Sequence, residues 1–136
     1  MDKESIDIDK DQISPRWFID LDWYQQNNCS FFVLAQSCLC PKCHERLKEG
    51  EVSAVDLLTA TRDCCSKAPG FITDKLPVLE SIFRLFLANG NQPLDLEEVG
   101  EQLIEWRGRD AYRTSNEVLS RLLKSDRRYG LRQVPS

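Results

Sequence analysis

The sequence predicts a mainly α-helical protein in two parts: a helical metal-binding module over 14–70 and a three-helix unit, closing in a turn and a short strand, over 71–136. Three observations lead there. Cys40-Pro41-Lys42-Cys43 is followed by the adjacent pair Cys64-Cys65, a concentration of thiols in one part of the chain. Apolar residues recur at helical spacing, most clearly at Leu79, Ile82, Phe83, Phe86 and Leu87. Lys67-Ala68-Pro69-Gly70 interrupts the pattern and marks the boundary between the parts.

The totals limit the classes of function. Hydrophobic residues make up 41% of the 136, enough for a packed core. The net charge of −4 excludes a nucleic-acid binder driven by bulk charge alone. Residues 1–70 hold 8 Lys+Arg against 12 Asp+Glu, whereas 101–136 hold 8 against 5, so the basic excess lies at the C-terminal end. No apolar run is long enough for a membrane span. Met1 to Gln12 is acidic and polar, unlike a secretory signal. A reducing, cytoplasmic setting is the expectation, and there clustered cysteines more often bind metal than form disulfides.

Taken in order, residues 1–13 intersperse Ile6, Ile8 and Ile13 with acidic side chains and read as a flexible lead-in. Ser14 as N-cap and Pro15 at the first position predict a helix carrying Trp17, Phe18, Leu21 and Tyr24 on one side, with Trp23 fitting neither. Ser30 caps a short second helix, Phe31 to Gln36, although Phe31-Phe32-Val33-Leu34 also suits a buried strand. The aromatic residues from Trp17 to Phe32 have acidic neighbours and only Arg16 among them. They read as core, since a base-stacking platform interleaves Arg and Lys. After the cysteine knuckle, Glu49-Gly50-Glu51 is a loop, and Ser53 caps a helix through Val55, Leu58 and Thr59 to about Cys65.

In the second part Thr73 caps a helix whose early turn holds Pro77, and Asn89-Gly90 stops it. Pro93-Leu94 is an extended link. Asp95 with Glu98 is a capping-box pair opening a helix with Leu96, Val99, Leu103, Ile104 and Trp106 inward, ended by Gly108. Thr114 or Ser115 starts a third helix with Val118, Leu119, Leu122 and Leu123 apolar. Asp126 to Val134 is a turn feeding a strand.

A C-P-x-C pair places two thiolates at i and i+3, which can grip one ion, and the proline stiffens the turn. Between Cys43 and Cys64 lie 20 residues, at the edge of the spacing for paired cysteine knuckles. The predicted ligands are Cys40, Cys43, Cys64 and Cys65, and four thiolates with no open position make a structural zinc site. The second half reads C-C in place of C-x-x-C. Adjacent cysteines on a helix point about 100° apart, so both can ligate only if the helix frays there. Cys38 and His44 are reserve ligands, and Cys29 reads as a buried small hydrophobe. The alternatives are a redox dithiol at Cys40/Cys43, which requires a βαβ setting, and an iron–sulfur cluster. No Ser/His/Asp arrangement and no glycine-rich phosphate loop is present, so the expectation is a non-enzyme without a small-molecule substrate.

Leu94-Asp95-Leu96-Glu97-Glu98-Val99 and Thr114-Ser115-Asn116-Glu117-Val118-Leu119-Ser120-Arg121-Leu122-Leu123-Lys124-Ser125-Asp126 carry a resemblance. Residues 76–134 resemble the winged helix-turn-helix of the bacterial RNA polymerase delta subunit and the HARE-HTH group, while the Cys40–Cys43 knuckle looks like the first half of a zinc ribbon. The departure is a C-terminus with room for one wing strand. The resemblance implies a DNA-binding, transcription-related role, with the third helix entering a major groove. Asn116, Ser120, Arg121 and Lys124 would face the bases, and Arg113, Arg127, Arg128 and Arg132 the phosphates. The same unit can instead dock a protein partner, and Glu117 with Arg121 at i,i+4 also suits a solvated helix face.

Overall fold

The computed structural model describes residues 15–47, 52–108 and 114–135. The lead-in at 1–13, the cap at Ser14, the loop at 49–51 and Arg113 lie outside those residues.

The first described element corrects the sequence reading. Arg16–Ile19 forms strand β1, not the start of a helix. Helix α1, Leu21–Gln26, begins only after Asp20, whose carboxylate accepts the Asp22 N–H at 3.1 Å. Trp17 and Ile19 are buried and Phe18 is partly exposed, the alternation of a pleated strand. What selects the strand is pairing with residues far along the chain. β2, Leu94–Asp95, and β3, Leu131–Gln133, flank β1 in an antiparallel sheet of order β2-β1-β3. Trp17 lies opposite both Leu94 and Gln133, and Ile19 lies opposite Leu131. Local periodicity carries no trace of partners so distant, and an aromatic, β-branched segment suits either state.

Helix α2, Phe31–Gln36, is capped as predicted, with Ser30 Oγ accepting the Val33 N–H at 3.2 Å. The Cys40–Cys43 segment is more than a turn. It opens helix α3, Pro41–Leu47, with proline at the first helical position. Helix α4, Ala54–Asp63, begins with a capping box between Ser53 and Asp56. Its expected face is rotated: Leu57, Ala60 and Thr61 are buried, whereas Val55 is 68% exposed. The Thr61 hydroxyl donates to the Leu57 carbonyl at 2.8 Å, which meets its hydrogen-bonding need inside the core.

Helix α5, Val78–Ala88, starts later than predicted. Thr73 caps a preceding turn, its Oγ1 accepting the Lys75 N–H, and Pro77 is extended at ψ 150°. The proline disfavours helical backbone at Leu76, which defers the helix. Ile82, Phe83, Phe86 and Leu87 are buried as expected, and Gly90, at φ +73°, follows the helix end. Helix α6, Leu96–Arg107, has the predicted capping box, with Asp95 and Glu98 bonding reciprocally at 2.8 and 3.0 Å. Val99 and Leu103 are buried, Leu96 and Trp106 pack against the core edge, and Ile104 is half-buried. Ser115 caps helix α7, Asn116–Ser125, which buries Leu119 and Leu123 and leaves Val118 37% exposed. The chain is thus mainly helical, with one small antiparallel sheet.

The core draws on residues from both sides of the predicted boundary at 70. The aromatic residues are core: Trp23, Tyr24, Phe31 and Phe83 make successive edge-on contacts at 5.2, 5.5 and 6.4 Å between ring centres. Phe83 then meets Tyr129 at 5.0 Å, tying α1, α2 and α5 to the turn before β3. Trp23, which fitted neither face of a continuous helix, belongs to this series. Among the described residues, no helix is long and apolar enough to cross a membrane.

Candidate metal centre

Two short segments bring the thiols together. From the first, Pro41 starts α3, so Cys40 sits just before the helix and Cys43 lies buried in its first turn. From the second, α4 stops at Asp63, and Cys64 leaves helical geometry at φ −129°, ψ −62°. A 3₁₀ turn, Cys65–Lys67, follows. This break meets the condition that adjacent cysteines impose, because outside regular helix Cys64 and Cys65 can both face Cys40.

The Sγ atoms of Cys40, Cys43 and Cys64 all lie within 4.8 Å of one another. Cys65 joins them: its sulfur is 3.5 Å from Cys40 Sγ, and Cys40 Sγ is 3.9 Å from Cys64 Sγ. An ion held tetrahedrally about 2.3 Å from each of four sulfurs sets S···S edges of about 3.8 Å. The Cys40–Cys65 and Cys40–Cys64 separations bracket that edge, and the four-cysteine cluster can hold a metal ion. The set is all sulfur.

The surroundings favour thiolate at the front of the site. The Cys43 backbone N–H, followed by the neighbouring thiols, draws the Cys40 thiol down to about 7. Cys65 Sγ accepts the Cys40 backbone N–H at 3.2 Å, but burial pushes this thiol up to about 12. Hydrogen bonding with Cys43 and Cys40 raises Cys64. Arg46 Nη2 lies 3.8 Å from Cys43 Sγ, a cation beside a cluster that gains negative charge on deprotonation. Arg46 escaped the sequence reading, although its i,i+3 spacing from Cys43 on a proline-started helix was the available signal.

The reserve ligands are elsewhere. Cys38 Sγ donates to the Leu34 carbonyl at 3.6 Å and is buried, which raises its pKa. His44 is exposed on α3. Cys29 is not the buried hydrophobe expected: it is exposed just before α2, its thiol 3.4 Å from the Asn27 carbonyl. The polar turn Asn27-Asn28, with Asn28 at φ +56°, carries it to the surface.

The residues expected to meet nucleic acid divide into three groups. Asn116 Nδ2 donates to Glu97 Oε2 at 3.1 Å and is engaged within the protein, whereas Arg121, 3.7 Å from Glu117, stays open on the surface. Arg132 is built into the fold: it donates to the Leu131 carbonyl at 2.7 Å, lies 3.6 Å from buried Asp126, and covers the Trp23 ring at 5.1 Å. Lys124, Arg127 and Arg128 are exposed, and Ser120 is half-buried. No family model, curated protein or solved structure matches this chain.

Proposed function

We propose that this is a zinc-stabilised, non-enzymatic binding protein that acts in the cytoplasm. The observation that carries it is the clustering of Cys40, Cys43 and Cys64 with their sulfurs within 4.8 Å of one another, and Cys65 Sγ 3.5 Å from Cys40 Sγ. Four thiolates leave no open position for substrate, so the zinc is structural: it joins α3 to the end of α4, two elements too short to hold each other. A dithiol reading has less support, since Cys43 opens a helix that follows another helix, and the sheet is antiparallel.

The C-terminal part is read as a winged helix-turn-helix whose partner is a nucleic acid. In its support, α5, β2, α6, α7 and β3 occur in that order, and β1 lies between β2 and β3 where a second wing strand would be needed. Arg121, Lys124, Arg127 and Arg128 form a basic run at the end of α7 and in the turn after it, suited to phosphate more than to base edges. The transcription-related role rests on this reading. Protein docking is the second reading, favoured by the engagement of Asn116 and Glu117 inside the chain.

Elemental analysis of protein purified without added metal, with a thiol count, tests the first part. One zinc per chain with the four cluster thiols protected is the expected result; six reactive thiols and no metal would remove the proposal. Salt-titrated binding to duplex DNA tests the second. Affinity falls steeply with salt, and the slope flattens when Arg121 or Arg128 is replaced. Absence of binding to any duplex leaves protein docking in its place.

A further inference from the structure

A second surface lies off the α7 face. Cys29, Ser30, Val33 and Leu34 form one wall of an open groove of about 440 Å³, and Arg127 and Arg128 form the other. Val33 is 62% exposed, one of three large hydrophobic side chains so placed among the described residues. No carboxylate pairs with Arg127 or Arg128 among those residues. The nearest acid in sequence, Asp126, is buried and accepts the N–H groups of Arg128, Tyr129 and Leu131. Arg128 also stacks beside the Tyr129 ring at 5.7 Å.

We propose that this groove docks an acidic peptide segment carrying an aliphatic side chain. Two adjacent guanidinium groups with no carboxylate partner among the described residues, one touching the Asp126 carbonyl and the other the Tyr129 ring, present in a chain of net charge −4 a fork geometry that pairs with carboxylates. The opposite wall offers exposed aliphatic surface, which removes an aliphatic side chain from water but gives nothing to a phosphate. Among the described residues no aromatic ring lines the groove, so stacking of bases has no platform there. The inference goes beyond the nucleic-acid reading: the groove shares Arg127 and Arg128 with that face, but Val33 and Leu34 belong to α2 and take no part in it.

Binding of a short aspartate/glutamate peptide with a central leucine to the zinc-loaded full chain tests it. Replacing that leucine by serine, or making Val33→Ser, weakens binding about tenfold, as loss of one buried aliphatic contact requires. Arg128→Gln weakens it as well, while Val33→Ser leaves the thermal melt unchanged because the site is exposed. Saturating peptide slows alkylation of Cys29 several-fold, and mass spectrometry reads that thiol apart from the cluster. Equal binding of the leucine and serine peptides, or no effect of Val33→Ser, overturns the proposal. Protection of Cys29 by duplex DNA and not by peptide overturns it too, and assigns the groove to nucleic acid.

Discussion

The side-chain amide of Asn91 completes a two-bond ring with the backbone of Ile19. Asn91 Oδ1 accepts the Ile19 N–H at 2.8 Å, and Nδ2 donates to the Ile19 carbonyl at 2.9 Å. Asn91 does for the end of β1 what a further residue of β2 would have done, since β2 pairs only with Arg16 and Trp17. It can do so because it sits at φ +62°, where asparagine is tolerated, with its own N–H bonded to the Phe86 carbonyl at 2.7 Å. The bend after α5 is thereby joined to a strand from the other end of the chain.

Asn91→Gly keeps the backbone conformation but leaves both Ile19 groups without partners, and is expected to cost about 1–3 kcal/mol. Asn91→Ala adds a left-handed penalty of about 1–2 kcal/mol. Denaturant unfolding measures both. Equal stability of the alanine and glycine variants would show that the backbone is not held in that conformation.

Elements specified by neighbouring residues were legible in the sequence, and those specified by distant ones were not. Ser30, Ser53, Asp95 and Ser115 each cap the helix that the local pattern indicates, because an N-cap bonds within three residues. The pairing of Trp17 with Leu94 and Gln133 depends on tertiary placement, so β1 read as helix. In the cysteine centre, the Cys40–Cys43 spacing announced itself. The suitability of Cys64-Cys65 rested on a backbone break after Asp63 that composition does not encode. The groove at Val33 was invisible for the same reason as β1, since its two walls are almost a hundred residues apart in sequence.

Asp126 organises the turn into β3. Its carboxylate accepts the Arg128 and Tyr129 N–H groups at 3.0 Å each and the Leu131 N–H at 2.9 Å, with Arg132 nearby at 3.6 Å. Asp126→Ala strips these donors of their acceptor and removes the carboxylate beside Arg132, a loss of about 3–5 kcal/mol. Asp126→Asn retains one acceptor oxygen and costs less. Gly130 gives an independent check on the same turn. At φ +67°, a Cβ there would lie 2.7 Å from Tyr24 Cε1, so Gly130→Ala also destabilises. Thermal melts order the variants, and an Asp126→Ala protein as stable as the parent would mean that the turn forms without its carboxylate.

The proposed zinc site separates ligands from bystanders among the thiols. Cys64→Ser and Cys65→Ser each remove a sulfur from the cluster and are expected to lower zinc retention by more than the roughly tenfold that loss of an outer-shell partner costs. Cys38→Ser and His44→Ala leave it unchanged, because the Cys38 thiol bonds to the Leu34 carbonyl and the imidazole is on the surface. Competition with a chromophoric chelator reads all four. Loss of zinc in Cys38→Ser with retention in Cys65→Ser would exchange their roles.

The perturbed thiols predict how metal uptake depends on pH. Without metal, Cys65 is pushed up to about 12 and Cys64 is raised, so both carry protons at neutral pH, whereas Cys40 is drawn down to about 7. Zinc takes thiolates, so loading at neutral pH releases protons from Cys64 and Cys65, and affinity falls as the pH is lowered. Calorimetry in buffers of different ionisation enthalpy measures the release; binding without proton release would exclude these two ligands. The metal-free protein has its own signature. Cys40, lowered from 9.0, stabilises the fold above that value and ceases to do so as the pH falls through 7. Cys65, raised from 9.0, stabilises the fold below that value and ceases to do so as the pH rises towards 12. Chelator-treated protein should therefore gain stability from pH 7 to 9 and lose it above. Zinc-loaded protein, with all four sulfurs held as thiolate, should show neither trend over that range.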